Sequence, residues 1–356
     1  MNPNPFSERN PSLVELVETS RDISPGLLRQ AQHKLDRRDK LDQRREADAA
    51  GRAAAARQRA FAEADAAALD GLISVRPRSI VPRPQPVWDD AEVLVHEPAG
   101  ERYRRLVLAS DTIARTAQAG QFLMITVPSS GGDTLLLPRP MAIHRRRPAT
   151  DARPGTIELI YGVVGRGTRA LAAVPVGAVL QVTGPLGRGF EFPPGTRTAL
   201  LIGRGVGICG VMGAAEDAAA AGIRTTMVLS GQRPEQLLGR ADCAELGVRV
   251  IEATDDDGSS DLANLANRLR AEFDGATPEH TPPDVVMVCG AGVLARLAAE
   301  LGAHWAVPVQ ASLEAHMACG LGYCHGCAAP VQTDPSVEGP LVCADGPVFD
   351  ARIPFD

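Results

Sequence analysis

Four of the seven cysteines lie close together near the C-terminus, with the spacing Cys319-x4-Cys324-x2-Cys327-x15-Cys343. Thiolates hold iron-sulfur clusters, and the first three spacings are those of the plant-type ferredoxin run, which has a distant fourth cysteine. Two glycines in the first gap give the loop the small size and backbone freedom that a cluster requires. The spacing therefore predicts a 2Fe-2S cluster and a protein that transfers electrons. A structural zinc site is the alternative, although such sites more often pair two C-x2-C knuckles.

The remaining cysteines, Cys209, Cys243 and Cys289, are scattered along the chain. An odd number of cysteines, four of them close together, is typical of a protein with a metal site and not of a secreted protein held by disulfides. The N-terminus lacks the basic and apolar regions of a signal peptide, and no apolar stretch approaches the length of a membrane span. We therefore expect a cytoplasmic protein without a membrane span. The net charge of -6 gives no reason to expect nucleic acid binding.

Two glycine-rich segments could contact phosphate groups. The segment Gly203-Arg-Gly205-Val-Gly207 lies between a predicted strand and a predicted helix, where glycines let the backbone approach a pyrophosphate. The Rossmann spacing G-x-G-x-x-G is not met, and such a turn also serves close packing. The segment from Tyr161 to Thr168 combines glycines, a hydroxyl and a base, which suits a phosphate or an ordinary hairpin.

The elements that position these segments follow two patterns. Residues 91–194 contain short apolar runs separated by Gly and Pro, which predicts an antiparallel β-barrel. Its predicted strands include 105–108, 121–127, 156–161 and 179–183. Residues 195–310 alternate strands with helices, which predicts a doubly wound α/β domain. Its predicted strands include 199–203, 225–229 and 285–289.

The N-terminal residues 1–90 have a different composition. Residues 24–71 are rich in Ala, Arg, Asp and Glu and lack a heptad, which predicts one or two solvated, charged helices rather than a coiled coil. The four prolines of 75–86 predict an extended linker. The sequence thus predicts a helical extension (1–90), a barrel (91–194), an α/β domain (195–310) and a cluster module (311–356).

In this order the elements resemble the electron transfer subunit of class 1B dihydroorotate dehydrogenase, a ferredoxin reductase-like protein with FAD and a 2Fe-2S cluster. The resemblance covers about residues 92–356. The segment from Glu314 to Cys327, followed by Cys343-Ala-Asp-Gly-Pro-Val-Phe349, is similar to that family's cluster signature almost position by position. Leu137-Pro-Arg139-Pro140-Met-Ala142 is similar to its arginine-proline-x-serine flavin motif, in which the arginine faces the FAD pyrophosphate.

The resemblance implies three sets of cofactor contacts. FAD would contact Arg139, Pro140, Met141, Ala142, Tyr161, Gly165, Gly167 and Thr168. NAD(H) or NADP(H) would contact Gly203, Gly205, Gly207, Cys289 and Gly290. The cluster would be bound by Cys319, Cys324, Cys327 and Cys343.

Departures from the family pattern indicate a divergent paralogue. Ala142 stands where serine is usual, Arg204 replaces a glycine, and Cys209-Gly210 replaces a pair of prolines. The resemblance implies an oxidoreductase subunit in pyrimidine biosynthesis whose partner is a dihydroorotate dehydrogenase catalytic subunit. Two alternatives stay open: a reductase for another acceptor protein, and a non-enzymatic regulatory protein that binds a cluster or zinc.

Overall fold

The described part of the chain contains fourteen strands, six α-helices with defined bounds and one 3-10 helix (Pro234–Gln236). The strands are β1 (Ile73–Ser74), β2 (Val87–Ala99), β3 (Tyr103–Ala109), β4 (Phe122–Ile125), β5 (Arg139–Ala142), β6 (Arg145–Arg147), β7 (Thr156–Gly162), β8 (Val179–Leu186), β9 (Thr198–Arg204), β10 (Arg224–Gly231), β11 (Arg249–Thr254), β12 (Val285–Cys289), β13 (Val309–Ser312) and β14 (Val348–Ala351). The helices are α1 (Asp111–Thr116), α2 (Arg166–Ala172), α3 (Gly207–Ala220), α4 (Arg240–Leu246), α5 (Leu262–Phe273) and α6 (Gly292–Trp305).

The structure is a computed structural model. It describes residues 72–74, 84–128, 136–275, 277, 280–329 and 338–352, with a few single positions between 52 and 67. Most of the predicted helical extension and most of the predicted linker lie outside these residues. The features below belong to the unit formed by Ala64–Asp356. None of the described helices has the length and apolar character needed to cross a membrane.

Strands β2 to β8 form an antiparallel sheet in the order β5-β4-β8-β2-β3-β7-β6. The sheet curls around a core of alternating apolar side chains that includes Leu108, Leu123, Ile157 and Val182. The prediction of antiparallel strands is confirmed. The sheet is an open half-barrel, however, because β5 and β6 are its two edges. It also begins earlier than predicted, since β2 starts at Val87 and pairs with β8.

A second, mixed sheet has the order β1-β14-β13-β12-β9-β10-β11. The five strands β9 to β13 pair in parallel. Strand β14 pairs antiparallel with β13, and β1 pairs antiparallel with β14. The central strands are fully buried because apolar clusters cover both faces of the sheet. One cluster includes α3 and the other includes α5 and α6. The predicted alternation of strands and helices is confirmed for the five parallel strands, but the sheet is mixed, with β14 and β1 as unpredicted strands at one edge.

The cysteine-rich segment is an insertion in this second sheet. Residues 313–347 connect β13 to β14, and these two strands pair with each other. The boundary predicted at 311 therefore falls inside β13. Strand β1, from the predicted extension, pairs with β14, and the preceding Leu72 is buried in the same core. The end of the extension is thus part of the α/β sheet.

Ion pairs made by one buried arginine join the half-barrel to two helices of the α/β domain. Arg145 on β6 donates from Nε to Glu216 on α3 at 2.8 Å, and from Nη1 to Asp242 and Glu245 of α4 at 2.9 and 2.8 Å. Its side chain is only 5% exposed. Three carboxylates around one buried guanidinium fix its position. This cluster holds the edge of the half-barrel against the α/β domain.

Candidate functional site

A cavity of about 270 Å³ lies where the half-barrel, the α/β domain and the cysteine-rich segment meet. Seven residues predicted to contact cofactors line it: Pro140, Met141, Ala142, Tyr161, Thr168, Gly207 and Cys289. The first five were predicted as flavin contacts and the last two as nucleotide contacts. The tertiary structure therefore brings the two predicted sites to one cavity.

Arg139 and Gly167 approach each other beside this cavity. A Cβ atom on Gly167 would lie 2.0 Å from Nε and 2.5 Å from Cζ of Arg139. Any other residue at position 167 would displace the guanidinium. The Nη1 atom of Arg139 donates to the carbonyl oxygens of Leu137 and Pro138 at 2.7 and 3.3 Å. These contacts hold a planar donor fork of the kind that binds a pyrophosphate in bidentate fashion. The residues present thus suit the FAD that the sequence predicts.

Thr168 organises the loop that precedes α2. Its Oγ1 atom accepts hydrogen bonds from the backbone N–H groups of Val164 and Gly165, both at 3.0 Å. Tyr161 precedes this loop, and its hydroxyl group is 2.8 Å from Nε2 of His96. Burial raises the pKa of the Tyr161 hydroxyl to about 12. The tyrosine therefore stays neutral in the cavity wall.

The glycines of the segment 203–210 serve close packing. A Cβ atom on Gly203 would lie 2.6 Å from Cα of Ile208, and one on Gly207 would lie 2.4 Å from the carbonyl oxygen of Cys289. A Cβ atom on Gly210 would lie 2.7 Å from Sγ of Cys289. Gly205 has a φ of 53°, which glycine adopts without strain. The assignment of this turn to a nucleotide remains a prediction.

In the sequence, Arg204 was notable only because it replaces a glycine that is usual in the family. Its Nη1 atom donates to Oγ of Ser230 at 2.8 Å. Its Nη2 atom donates to both carboxylate oxygens of Asp255, at 2.9 and 2.8 Å. One side chain therefore connects the ends of three neighbouring parallel strands.

The four clustered cysteines lie in one loop region. The Sγ atoms of Cys327 and Cys343 are 3.2 Å apart, and both residues are buried. Cys324 is exposed, and its backbone N–H group donates to Sγ of Cys319 at 3.5 Å. In the described residues, no three potential ligands are arranged to hold a single metal ion. The ligand assignment therefore rests on the spacing and on the environment of the sulfur atoms.

That environment favours a thiolate at Cys319, whereas burial and the neighbouring Cys327 raise the pKa of Cys343 to about 12. Backbone N–H groups of Leu321 and Gly322 donate to the sulfur atoms of Cys319 and Cys343 at 3.4 and 3.1 Å. Burial raises the pKa of Cys319, but N–H groups from Leu321, Cys324 and Tyr323 outweigh it and lower that pKa to about 6. Gly320 and Gly322 both have positive φ, at 70° and 77°, as the sequence analysis anticipated for a loop around a cluster.

The cavity also contains residues that the sequence analysis did not single out as cofactor contacts. Glu314, Ala315 and Met317 line it, and they follow β13 directly. Strands β12 and β13 are parallel neighbours, so their carboxyl ends lie at one edge of the sheet. Strand β13 was not predicted, which is why this placement was missed. The same segment leads to Cys319, so one wall of the cavity continues into the cysteine loop.

Comparisons with known proteins agree with this arrangement. Residues 314–353 match the family described as the iron-sulfur cluster binding domain of dihydroorotate dehydrogenase B. A dihydroorotate dehydrogenase B (NAD(+)) electron transfer subunit from Desulforamulus reducens is 30% identical over 263 residues, which are 73% of this chain and 95% of that protein. The chain belongs to this family of electron transfer subunits. The resemblance stated from the sequence is confirmed.

Other relatives support the same assignment. The electron transfer subunit from Listeria monocytogenes serovar 1/2a is 31% identical over 264 residues, which are 74% of this chain and 96% of that protein. Among solved structures, an NADH-dependent reduced ferredoxin-NADP oxidoreductase superposes with a TM-score of 0.58 at 23% identity. That match covers 73% of this chain and 87% of the other. At this identity it shows a shared ferredoxin reductase-like fold.

Proposed function

We propose that this electron transfer subunit carries electrons between NAD(H) and a dihydroorotate dehydrogenase catalytic subunit, with FAD in the cavity and a 2Fe-2S cluster on the four clustered cysteines. The observation that carries this proposal is the shared cavity. Predicted flavin residues at 140–142 and predicted nucleotide residues Gly207 and Cys289 line it together. The segment that leads to Cys319 forms part of the same wall.

Each predicted contact has a physical role. The guanidinium of Arg139 neutralises and orients the pyrophosphate of FAD, with Gly167 leaving room for it. By the resemblance, Pro140, Met141 and Ala142 would lie along the flavin, and Ala142 would lack one hydrogen bond that the family usually makes. When bound, FAD exchanges electron pairs with nicotinamide and single electrons with an iron-sulfur cluster.

The cluster ligands are Cys319, Cys324, Cys327 and Cys343. Backbone N–H groups directed at the sulfur atoms stabilise negative charge on them, and such hydrogen bonds also set cluster potentials. Cys324 is exposed, so this side of the cysteine loop faces the surface. A protein acceptor or donor can therefore come close to the cluster.

The partner and the direction of electron flow follow from the family. The names of the relatives specify dihydroorotate dehydrogenase B and NAD(+). By this resemblance, electrons pass from dihydroorotate, through FMN on the catalytic subunit, to NAD, and the assembly is a heterotetramer. A reductase that serves another acceptor protein is the second candidate, because about a quarter of the chain has no counterpart in these relatives.

The test is an absorption spectrum of anaerobically purified protein, with iron, sulfide, zinc and flavin assays, before and after addition of NADH. Flavin and iron-sulfur absorbance that bleaches with NADH supports the proposal. Zinc without flavin contradicts it. Addition of a dihydroorotate dehydrogenase catalytic subunit with dihydroorotate and NAD then identifies the partner, since NADH forms only if the two subunits exchange electrons.

A further inference from the structure

Arg204 forms a bridge across the carboxyl ends of three parallel strands. It is the last residue of β9, and its guanidinium donates to Ser230 near the end of β10 and to Asp255 directly after β11. The backbone is fixed at the same point, because the N–H group of Gly205 donates to the carbonyl oxygen of Ser230 at 2.9 Å. The guanidinium therefore has a defined position at this edge of the sheet.

This edge is where a doubly wound sheet binds its ligands, in the crevice outside the carboxyl ends of the strands. Two observations place Arg204 at that crevice. A Cβ atom on Gly290, after β12, would lie 3.7 Å from Cβ of Arg204. Val206 and Gly207, which follow Arg204 in the chain, line the cavity. The backbone that follows Arg204 thus adjoins the cavity, and its guanidinium extends over the carboxyl ends of β10 and β11.

The ion pair between Arg204 and Asp255 can be broken at little cost in stability. The two side chains are 34% and 47% exposed, and ion pairs at this exposure contribute little to stability because solvent screens them. Asp255 has a second donor in the hydroxyl group of Ser260, so its carboxylate keeps a partner when the guanidinium leaves. The pKa of Asp255 is lowered, mostly by the hydrogen bond from Ser260 and next by the hydrogen bond from Arg204. The carboxylate therefore stays ionised.

We propose that Arg204 is a nucleotide-binding residue whose guanidinium leaves Asp255 to contact the diphosphate of NAD(H). This inference rests on the proposed function. A planar guanidinium binds phosphate oxygens in pairs and keeps its charge throughout the neutral range. The arginine therefore supplies a positive charge at a turn where the family usually has a glycine. Asp255 holds this charge in place until the nucleotide arrives.

The experiment measures the affinity of the oxidised holoprotein for NAD by calorimetry at two salt concentrations. Arg204→Gly, which introduces the residue usual in the family, should weaken binding about tenfold, the loss of one charge-assisted hydrogen bond. It should also reduce the salt dependence of binding. Asp255→Asn should tighten binding, because the competing carboxylate is removed.

The matched control is Arg249→Gly. Arg249 pairs with Glu272 at 2.6 Å and is 50% exposed, but it lies at the amino end of β11, away from the crevice. This variant should bind NAD as the unmodified protein does. Flavin and iron contents equal to those of the unmodified protein establish that each variant is folded.

Two results would overturn the inference while leaving the proposed function intact. Unchanged or tighter NAD binding by Arg204→Gly would show that Arg204 makes no favourable contact with the nucleotide. Weaker binding by Asp255→Asn would show that the carboxylate supports binding instead of competing with it. Failure of the unmodified protein to bind NAD would contradict the proposed function itself.

Discussion

Gly167 and Arg139 are in such close contact that a Cβ atom on the glycine would lie 2.0 Å from Nε of the arginine. The two residues come from different elements, α2 and β5, and are separated by 28 positions in the sequence. The arginine can hold its position only because residue 167 has no side chain. This contact links the two segments that were predicted separately to bind FAD.

Gly167→Ala should therefore lower the FAD content of the purified protein. The methyl group would displace the guanidinium and remove a charge-assisted contact with the pyrophosphate, at a cost of about 1.5–3 kcal/mol in FAD binding. Arg139→Ala should give a loss of similar size. Flavin released by denaturation and measured by absorbance gives the occupancy. Wild-type occupancy in both variants would show that the flavin motif has been misplaced.

Gly165→Ala separates two explanations for such a loss. A Cβ atom on Gly165 has no neighbour within 4 Å, so the methyl group would leave Arg139 in place. If the pyrophosphate contacts Gly165 directly, this variant also loses FAD with an unchanged melting temperature. If only the arginine matters, the variant keeps its FAD.

Arg145→Ala should strongly destabilise the protein, whereas Arg147→Ala should not. Removal of Arg145 takes the buried cation away from Glu216 and Asp242, whose side chains are 14% and 21% exposed, and loss of one partner of a buried pair costs about 3–5 kcal/mol. Arg147, two residues away, is 40% exposed and contacts Glu245 at 3.4 Å, so its removal should cost less than about 1 kcal/mol. Melting temperatures from circular dichroism test this. Equal shifts would show that the Arg145 cluster does not stabilise the contact between the sheets.

The stability of the protein should fall between neutral and alkaline pH because of His144. Its ring is buried between Cys209 on α3 and Asp242 on α4 and follows strand β5. Burial lowers the pKa of His144, but Cys209 and Asp242 outweigh it and raise the pKa to about 10. An unfolded histidine has a pKa of about 6.5. The stabilisation is therefore complete below about pH 6.5 and is lost as the pH rises towards 10.

His144→Gln should weaken this dependence. The melting temperature of the variant should be lower than that of the unmodified protein at pH 7, and the two should converge as the pH approaches 10. His280→Gln replaces a half-exposed histidine and should retain the original slope. Parallel curves for the unmodified protein and His144→Gln would rule out this histidine as the titrating group.

Cys324→Ser should lower both the iron and the sulfide content, because a serine hydroxyl is a much poorer ligand for iron than a thiolate. Cys243→Ser is the matched control. Cys243 is buried on α4 with its sulfur 3.6 Å from Sδ of Met227, far in sequence from the cysteine loop. Colorimetric assays and visible absorbance measure the outcome. An unchanged iron content in Cys324→Ser would contradict the ligand assignment.

Leu72→Ala should destabilise the α/β domain although Leu72 comes from the N-terminal extension. The side chain is 1% exposed and packs into the core that contains Phe349 and Ala351. Replacement of a buried leucine by alanine costs about 2–5 kcal/mol. Leu136→Ala, at a position that is 85% exposed, should change stability by less than about 0.5 kcal/mol. Identical melting temperatures would show that the extension does not contribute to the core.

The sequence by itself determined the features that depend on local spacing. Three of the four predicted cluster ligands fall within nine residues, so their spacing alone predicts an iron-sulfur site. The apolar runs that became β3, β7 and β12 were also recognisable, because a buried strand is apolar along its length or on alternate positions. The strand-helix rhythm predicted the parallel sheet, since each unit is local. The family signature around Cys319 added the cofactors by resemblance.

Only the tertiary structure decided which distant segments meet. The shared cavity depends on the order and register of two sheets, and no local period in the sequence encodes these. Strands β13 and β14 pair around an insertion of 35 residues, which made the cysteine region look like a separate module. Arg204 contacts a carboxylate partner 51 residues away, directly after a strand that was not predicted. Long-range contacts of this kind depend on packing between elements, and so they appear only once the chain is folded.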